Sequence, residues 1–213
     1  MRIRILIADD HAIVAEGLRS LIDAQSDMEV VGLAGNGRDA VRQALEREPD
    51  VVVMDNAMPE MNGIEAARII AKRCADTRIV MLSMHSTSVH VYRALQAGVS
   101  GYVLKESVGR ELLDAIRTVH AGRRYLSKPL ADDLLDQLVS GVPEDPLSRL
   151  SDRERQVLQL LAEGNSVVDI ADKLSLSRKT VETYRERMME KLDIHDLASL
   201  IKFAIQHDVT PLD

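Results

Sequence analysis

Two short apolar runs in this chain each stop at carboxylates. Ile3-Arg4-Ile5-Leu6-Ile7-Ala8 runs into Asp9 and Asp10, and Val51-Val52-Val53-Met54 runs into Asp55. Short β-branched runs of this kind read as buried parallel strands, and ligands of such sheets gather outside the carboxyl ends of the strands. Three acidic groups brought together there repel one another unless a divalent cation sits among them. An all-oxygen donor set suits Mg²⁺, which keeps several waters and takes a phosphoryl oxygen as a further ligand. Ser83 ends the run Ile79-Val80-Met81-Leu82 and Lys105 ends Tyr102-Val103-Leu104, so a hydroxyl and a cation join the carboxylates. Taken singly, these residues say little: Asp9 or Asp10 equally suits an N-cap, and Lys105 a solvated surface position. The joint pattern carries the reading.

Strand-like runs alternate with helical periodicity through the first half, which predicts βα units around a parallel sheet. The helical segments are Ile13 to Ala24, Arg38 to Glu48, Gly63 to Cys74, Ser88 to Ala97 and Val108 to Ala121. After Gly122 the pattern changes. Pro129, Gly141, Pro143 and Pro146 surround one amphipathic stretch, Leu130 to Val139, whose Leu134, Leu135 and Leu138 form a small apolar face. A linker with a short helix is expected over 122–146, between a first domain at 1–121 and a second at 147–213.

A chain of 213 residues suits two modest domains. The net charge of −7 argues against a globally basic nucleic-acid protein but leaves room for a local basic patch. One cysteine, Cys74, allows no intrachain disulfide and fits a reducing compartment. Arg2 and Arg4 interrupt the first apolar run, against a signal segment, and no run approaches the roughly 20 apolar residues that span a bilayer. A soluble, cytoplasmic protein without membrane contact is expected.

From Leu150 onward the chain reads as four short helices. Ser151 with Glu154 makes a capping-box pattern ahead of Val157, Leu158 and Leu161, and Gly164 closes that helix. Ser166 with Asp169 starts the next, and Ser177 a third after a brief turn. Helix, tight turn, helix is the unit whose second helix enters the major groove of double-stranded DNA. On that helix Val181, Met188 and Leu192 point one way, with Tyr184 beside them. Lys179, Thr183, Glu186, Arg187 and Glu190 lie opposite, with Thr180 and Glu182 on the flanks. Lys179, Arg187 and Lys191 are placed to approach phosphates, Arg178 and Arg185 lie nearer the sides, and Thr183 suits a thymine methyl. Glu182 and Glu186 fit either a base-reading role or a solvated stripe, whereas Glu190 is assigned to solvent. A last helix near Asp196 to Gln206 carries Leu197, Leu200, Ile201 and Ala204, more apolar surface than so short a domain should bury, so some of it is expected to face a second copy.

The segments ILIADDH, VVVMDNAMPEMNG, IVMLS and GYVLK resemble the receiver domain of bacterial response regulators over roughly the first 120 residues. LSDRERQVLQLLAEG, IADKLSLSRKTVETYRERMMEKL and the final apolar helix resemble the LuxR-type DNA-binding domain. Together they make the chain similar to the NarL/FixJ subfamily. The resemblance implies a doubly wound, five-stranded flavodoxin-like receiver followed by an all-α helix-turn-helix domain. By it Asp55 is the phosphoacceptor, Asp9 and Asp10 hold Mg²⁺ with the backbone carbonyl of Ala57, Ser83 and Lys105 bind the phosphoryl group, and Tyr102 is a switch residue coupled to Ser83. It also implies a sensor histidine kinase as donor, RNA polymerase as a further partner and a homodimer on activation. Such a chain is not an enzyme in the usual sense, because its own side chain is the substrate. Val167, Val168, Glu182 and Glu186 depart from residue types common in the family. His11 and His85 are read as surface histidines outside any metal cluster. A Mg²⁺-dependent phosphatase is the rival reading, but Asn56 and Ala57 follow Asp55 where a second acid would be needed. The other rival, a binding module with an unphosphorylated aspartate, is weakened by the presence of all five pocket residues.

Overall fold

The computed structural model describes residues 2–84, 86–128, 130–131, 145–207 and 209–210. The described residues fall into two compact units, each taken by itself.

The first unit alternates strands and helices: β1 (Ile3–Ala8), α1 (Ala12–Asp23), β2 (Met28–Ala34), α2 (Gly37–Arg47), β3 (Val51–Asp55), α3 (Gly63–Arg73), β4 (Arg78–Ser83), α4 (Ser88–Gln96), β5 (Gly101–Leu104), α5 (Val108–His120) and β6 (Tyr125–Leu126). All neighbours pair in parallel, in the order β2-β1-β3-β4-β5-β6. The crossover between β2 and β3 reverses the direction of winding at β1, so the carboxyl ends of β1 and β3 open on one crevice. Every residue of β3 and of β5 is buried, which is why these strands read as continuous apolar runs rather than alternating ones.

Six strands stand where five were expected. Tyr125–Leu126 lies inside the stretch assigned to the linker and pairs with Gly101 and Tyr102 of β5. Two residues are too few for a period-2 pattern to register in a sequence. Tertiary contacts make this strand: Glu111 of α5 accepts hydrogen bonds from the Tyr125 hydroxyl at 3.2 Å and from Ser127 Oγ at 2.5 Å. Burial, with the Glu111 charge and hydrogen bond adding to it, pushes the Tyr125 phenol up to about 12. The expected linker helix with Leu134, Leu135 and Leu138 lies outside the described residues.

The second unit opens with a 3₁₀ turn (Pro146–Arg149), followed by α6 (Asp152–Ala162), α7 (Val167–Leu174), α8 (Arg178–Leu192) and α9 (Leu197–Gln206). Ser151/Glu154 and Ser166/Asp169 both close reciprocal capping boxes. Each satisfies orphan amides that a helix start otherwise leaves to water, and so fixes the point at which the chain turns into the helix. Ser175 sits in the left-handed region at the end of α7, and Ser177 caps α8 through the Thr180 amide, which makes the turn between them tight.

The core joins Val157, Leu158, Leu160, Ile170, Val181 and Met188 to Leu200 and Ala204. This corrects the expectation for α9. Leu200 and Ala204 are fully buried in their own domain, whereas Leu197 is 45% exposed and Ile201 half-buried. α6 packs against α9, and the shared core takes up more of its apolar face than a linear count of residues suggests.

Candidate functional site

Four strands deliver the first site. Asp9 and Asp10 follow β1, Asp55 is the last residue of β3, Ser83 the last of β4, and Lys105 directly follows β5. Asp9, Asp55 and Ser83 are buried, and Asp10 is exposed at the rim. Lys105 Nζ lies 2.8 Å from Asp55 Oδ1, an ion pair, and 3.7 Å from Asp9 Oδ2. Asp9 Oδ1 accepts from the His11 amide at 2.9 Å. The cap of α1 is therefore His11 itself, with no side-chain cap bond.

One cation stands against three carboxylates, and the balance is not neutral. Burial pushes the Asp55 carboxyl above its ordinary range; Lys105 opposes that shift, while Asp9 and Asp10 add to it. Asp9 Oδ2 and Asp55 Oδ2 are buried with no hydrogen-bond donor. Buried carboxylate oxygens without donors are costly to keep ionised, and a hard divalent cation with oxygen ligands is what relieves them. Ligand atoms of Asp9, Asp10, Asp55 and His11 all lie within 4.8 Å of one another, so the acidic residues fit a metal ion. His11 departs from the expectation of a surface histidine outside any metal cluster: its Nδ1 is 3.0 Å from Asp10 Oδ1 and 3.5 Å from Asp9 Oδ1. Its place directly after the acidic pair was the available signal. His85 lies outside the described residues.

Gly63, the first residue of α3, holds the loop after Asp55 against the strand. A Cβ there would stand 2.1 Å from the Asp55 carbonyl oxygen, and the Gly63 amide donates to the Asn56 carbonyl at 2.9 Å. Only a residue without a side chain permits that approach. Ala57 sits half-buried in this loop. Tyr102 is buried in β5, between Met81 of β4 and Leu126 of β6 in register.

The second site is the exposed side of α8. Arg178, Lys179, Glu182, Glu186, Arg187 and Glu190 are exposed, and Thr180 and Thr183 are half-buried. Val181 and Met188 are fully buried, as the 3.6-residue period requires. Ser177, Lys179, Thr180, Thr183, Tyr184 and Arg187 line an open concavity of about 340 Å³. Tyr184 and Ser177 join the expected contact residues there, which helical spacing alone does not reveal. Thr183 Oγ1 donates to the Lys179 carbonyl at 2.9 Å. Lys191 differs from the other cations of this helix, because its Nζ donates to the buried Glu154 at 2.7 Å.

Comparison with known proteins bears on both sites. Residues 5–117 match the family described as response regulator receiver domain, and 148–204 match bacterial regulatory proteins of the luxR family. The response regulator UvrY of Escherichia coli K12 is 39% identical over 206 residues, covering 96% of this chain and 94% of its own. The oxygen regulatory protein NreC of Staphylococcus haemolyticus is 36% identical, covering 95% and 97%. A solved structure of two RcsB dimers bound to two parallel DNAs matches with a TM-score of 0.60 and 25% identity, over 98% of this chain and 100% of that one.

Proposed function

The chain belongs to the NarL/FixJ-type response regulators, DNA-binding transcription regulators with a receiver and a LuxR-type domain, and from that premise we propose that Asp55 is its phosphoacceptor. The observation that carries the assignment is the buried Asp55 carboxylate, unmatched by donors at Oδ2 and faced by Lys105 at the mouth of the sheet. A carboxylate oxygen of Asp55 attacks the phosphorus of a phosphohistidine on a sensor kinase. The phosphorus–nitrogen bond breaks, the imidazole leaves with the electron pair and takes up a proton, and an acyl phosphate forms on Asp55.

Asp9, Asp10, Asp55 and the Ala57 carbonyl would hold Mg²⁺. When bound, that ion supplies positive charge to the phosphoryl oxygens as the dianion approaches the acidic pocket. Lys105 then exchanges its Asp55 partner for a phosphoryl oxygen, and the Ser83 hydroxyl donates to another. Withdrawal of Lys105 and Ser83 toward the new group opens space beneath Tyr102, which acts as the switch. The receiver assists gain and loss of its own phosphoryl group, and no separate substrate turns over.

The downstream half follows from the second site. Arg178, Lys179, Thr180, Thr183 and Arg187 meet the major groove of double-stranded DNA, with Glu182 and Glu186 facing bases. The domain bounds 1–121, 122–146 and 147–213 are kept as the assignment except that Tyr125–Leu126, as β6, goes with the sheet of the first domain. Homodimerisation on activation uses α9 through Leu197 and Ile201, RNA polymerase is the further partner, and the cytoplasm is the compartment. Among the described residues no helix is long and apolar enough to cross a membrane.

Acetyl phosphate with Mg²⁺ should add one acid-labile phosphoryl group to the wild type and none to Asp55→Asn by intact mass. Equal labelling of both would overturn the assignment.

A further inference from the structure

Glu154 lies in the first turn of α6, outside the helix-turn-helix pair, yet it is among the most buried acids of the second unit, at 2% exposure. Its Oε2 accepts three hydrogen bonds: from the Ser151 amide at 2.7 Å, from Ser151 Oγ at 2.9 Å and from Lys191 Nζ at 2.7 Å. Burial alone would push this carboxyl up, but Lys191 and the Ser151 donors outweigh it and hold it below the ordinary carboxylate range. A buried carboxylate satisfied in this way is a fixed point. Its third donor comes from the last turn of the helix that faces DNA.

The rotation of α8 about its own axis decides which side chains reach base edges. At 100° per residue Lys191 stands about 60° from the buried Met188 and about 40° from Arg187, on the boundary between the buried and outward faces. The contacts of Val181 and Met188 are apolar and non-directional, so they set the depth of α8 better than its rotation. The 2.7 Å contact of Lys191 with Glu154 on one flank is, by contrast, directional. Turning a helix by about 20° at an outer radius of about 5 Å carries a side chain roughly 2 Å, several times the tolerance of about 0.5 Å for a specific site.

We propose that Glu154 is a positioning residue for sequence recognition, which fixes the rotation of α8 through Lys191, and that Lys191 therefore makes no phosphate contact. The inference rests on the reading of α8 as the recognition helix. It separates two exposed cations that sequence spacing treats alike: Arg187 is left to DNA, and Lys191 is committed to the buried carboxylate of Glu154.

The experiment uses the full chain with phosphodonor, a duplex recovered by the wild type from a random-sequence library, and a scrambled duplex of equal length. Fluorescence anisotropy over a salt series is measured for Glu154→Gln, Lys191→Met, the double variant, Lys191→Arg and Arg187→Met. The glutamine keeps an acceptor for Ser151, so the capping turn survives. Glu154→Gln and Lys191→Met should each reduce preference for the selected duplex at least tenfold, and the double variant should lose no more than the worse single, because the pair acts as one unit. Lys191→Met should leave the salt slope unchanged, whereas Arg187→Met lowers it by about 0.9. Lys191→Arg should restore the preference.

A slope reduced by about one in Lys191→Met, additive losses, or equal losses on both duplexes would each overturn the proposal; the last would reduce the pair to a support of the fold. Should Glu154→Gln lose its helical circular dichroism, Lys191→Met at a partly exposed position decides alone. A wild type that selects no sequence overturns the recognition-helix reading and the inference with it. Selection by the wild type with unaltered variants overturns the inference only.

Discussion

The pocket at the end of the sheet and the outward face of α8 are both crowded with charge, and they differ in how much each charge reveals. In the pocket, Asp9 and Asp55 are buried, each with an Oδ2 that no donor reaches. Desolvation makes such an arrangement expensive, so its presence in a folded domain demands a use. On α8, Glu182, Glu186, Lys179 and Arg187 stand in water, where a charge costs little and a neighbouring opposite charge stabilises by about 1 kcal/mol or less. Excess charge is informative where it is buried and nearly silent where it is not. Within α8 the same rule singles out Lys191, whose Nζ, among the described residues, pairs with the buried Glu154.

The largest expected effect probes the pocket's close packing. Gly63→Ala places a carbon against the Asp55 carbonyl oxygen, which neither helix nor strand can move away from freely. A loss on the order of 3 kcal/mol is expected in chemical denaturation, with phosphoryl uptake abolished at concentrations where the wild type is fully labelled. Unchanged stability would mean that the loop yields and that packing there is no tighter than at the surface.

Next is the sign of the Asp55 charge itself. A carboxyl whose folded-state value is raised binds its proton more tightly folded than unfolded, so the metal-free protein loses stability as pH rises from about 4 through the raised value, and no further above it. Asp55→Asn removes that loss. In chelator the variant should be more stable than the wild type at neutral pH, by on the order of 1–3 kcal/mol, and equal to it in acid. Added Mg²⁺ should stabilise the wild type more than the variant. Thermal melts over a pH series check this, and a less stable variant at neutral pH would erase the contrast drawn above.

A smaller effect belongs to α8. Glu186→Lys should leave the melting temperature within a degree or so, strengthen binding to random duplex, steepen the salt slope by roughly one unit and relax sequence preference. An unchanged slope places Glu186 on a solvated side and leaves base reading to Lys179, Thr183 and Arg187. The smallest belongs to α9: Leu197→Ser should alter stability by less than about 0.5 kcal/mol while weakening self-association on DNA, as sedimentation would show. An unchanged dimer excludes Leu197 from the contact.

Much of this molecule is legible in its sequence for local reasons. Strand ends are marked by the step from apolar run to carboxylate, and helix starts by Ser151/Glu154 and Ser166/Asp169, whose partners lie three residues apart along the chain. Even the face of α8 that turns inward follows from its period alone, with Val181 and Met188 fully buried. What escaped depends on partners distant in sequence. Tyr125–Leu126 is a strand because Glu111 and β5 hold it, 14 and 24 residues away for Tyr125. Leu200 and Ala204 belong to the core because other helices close over them, and Lys191 belongs to Glu154, 37 residues upstream. Local pattern thus determined which residue types were available and at what spacing. Which of two similar side chains is desolvated, paired or left to a partner was decided only when the fold set the distances between them, because burial and ion pairing depend on separation in space and not along the chain.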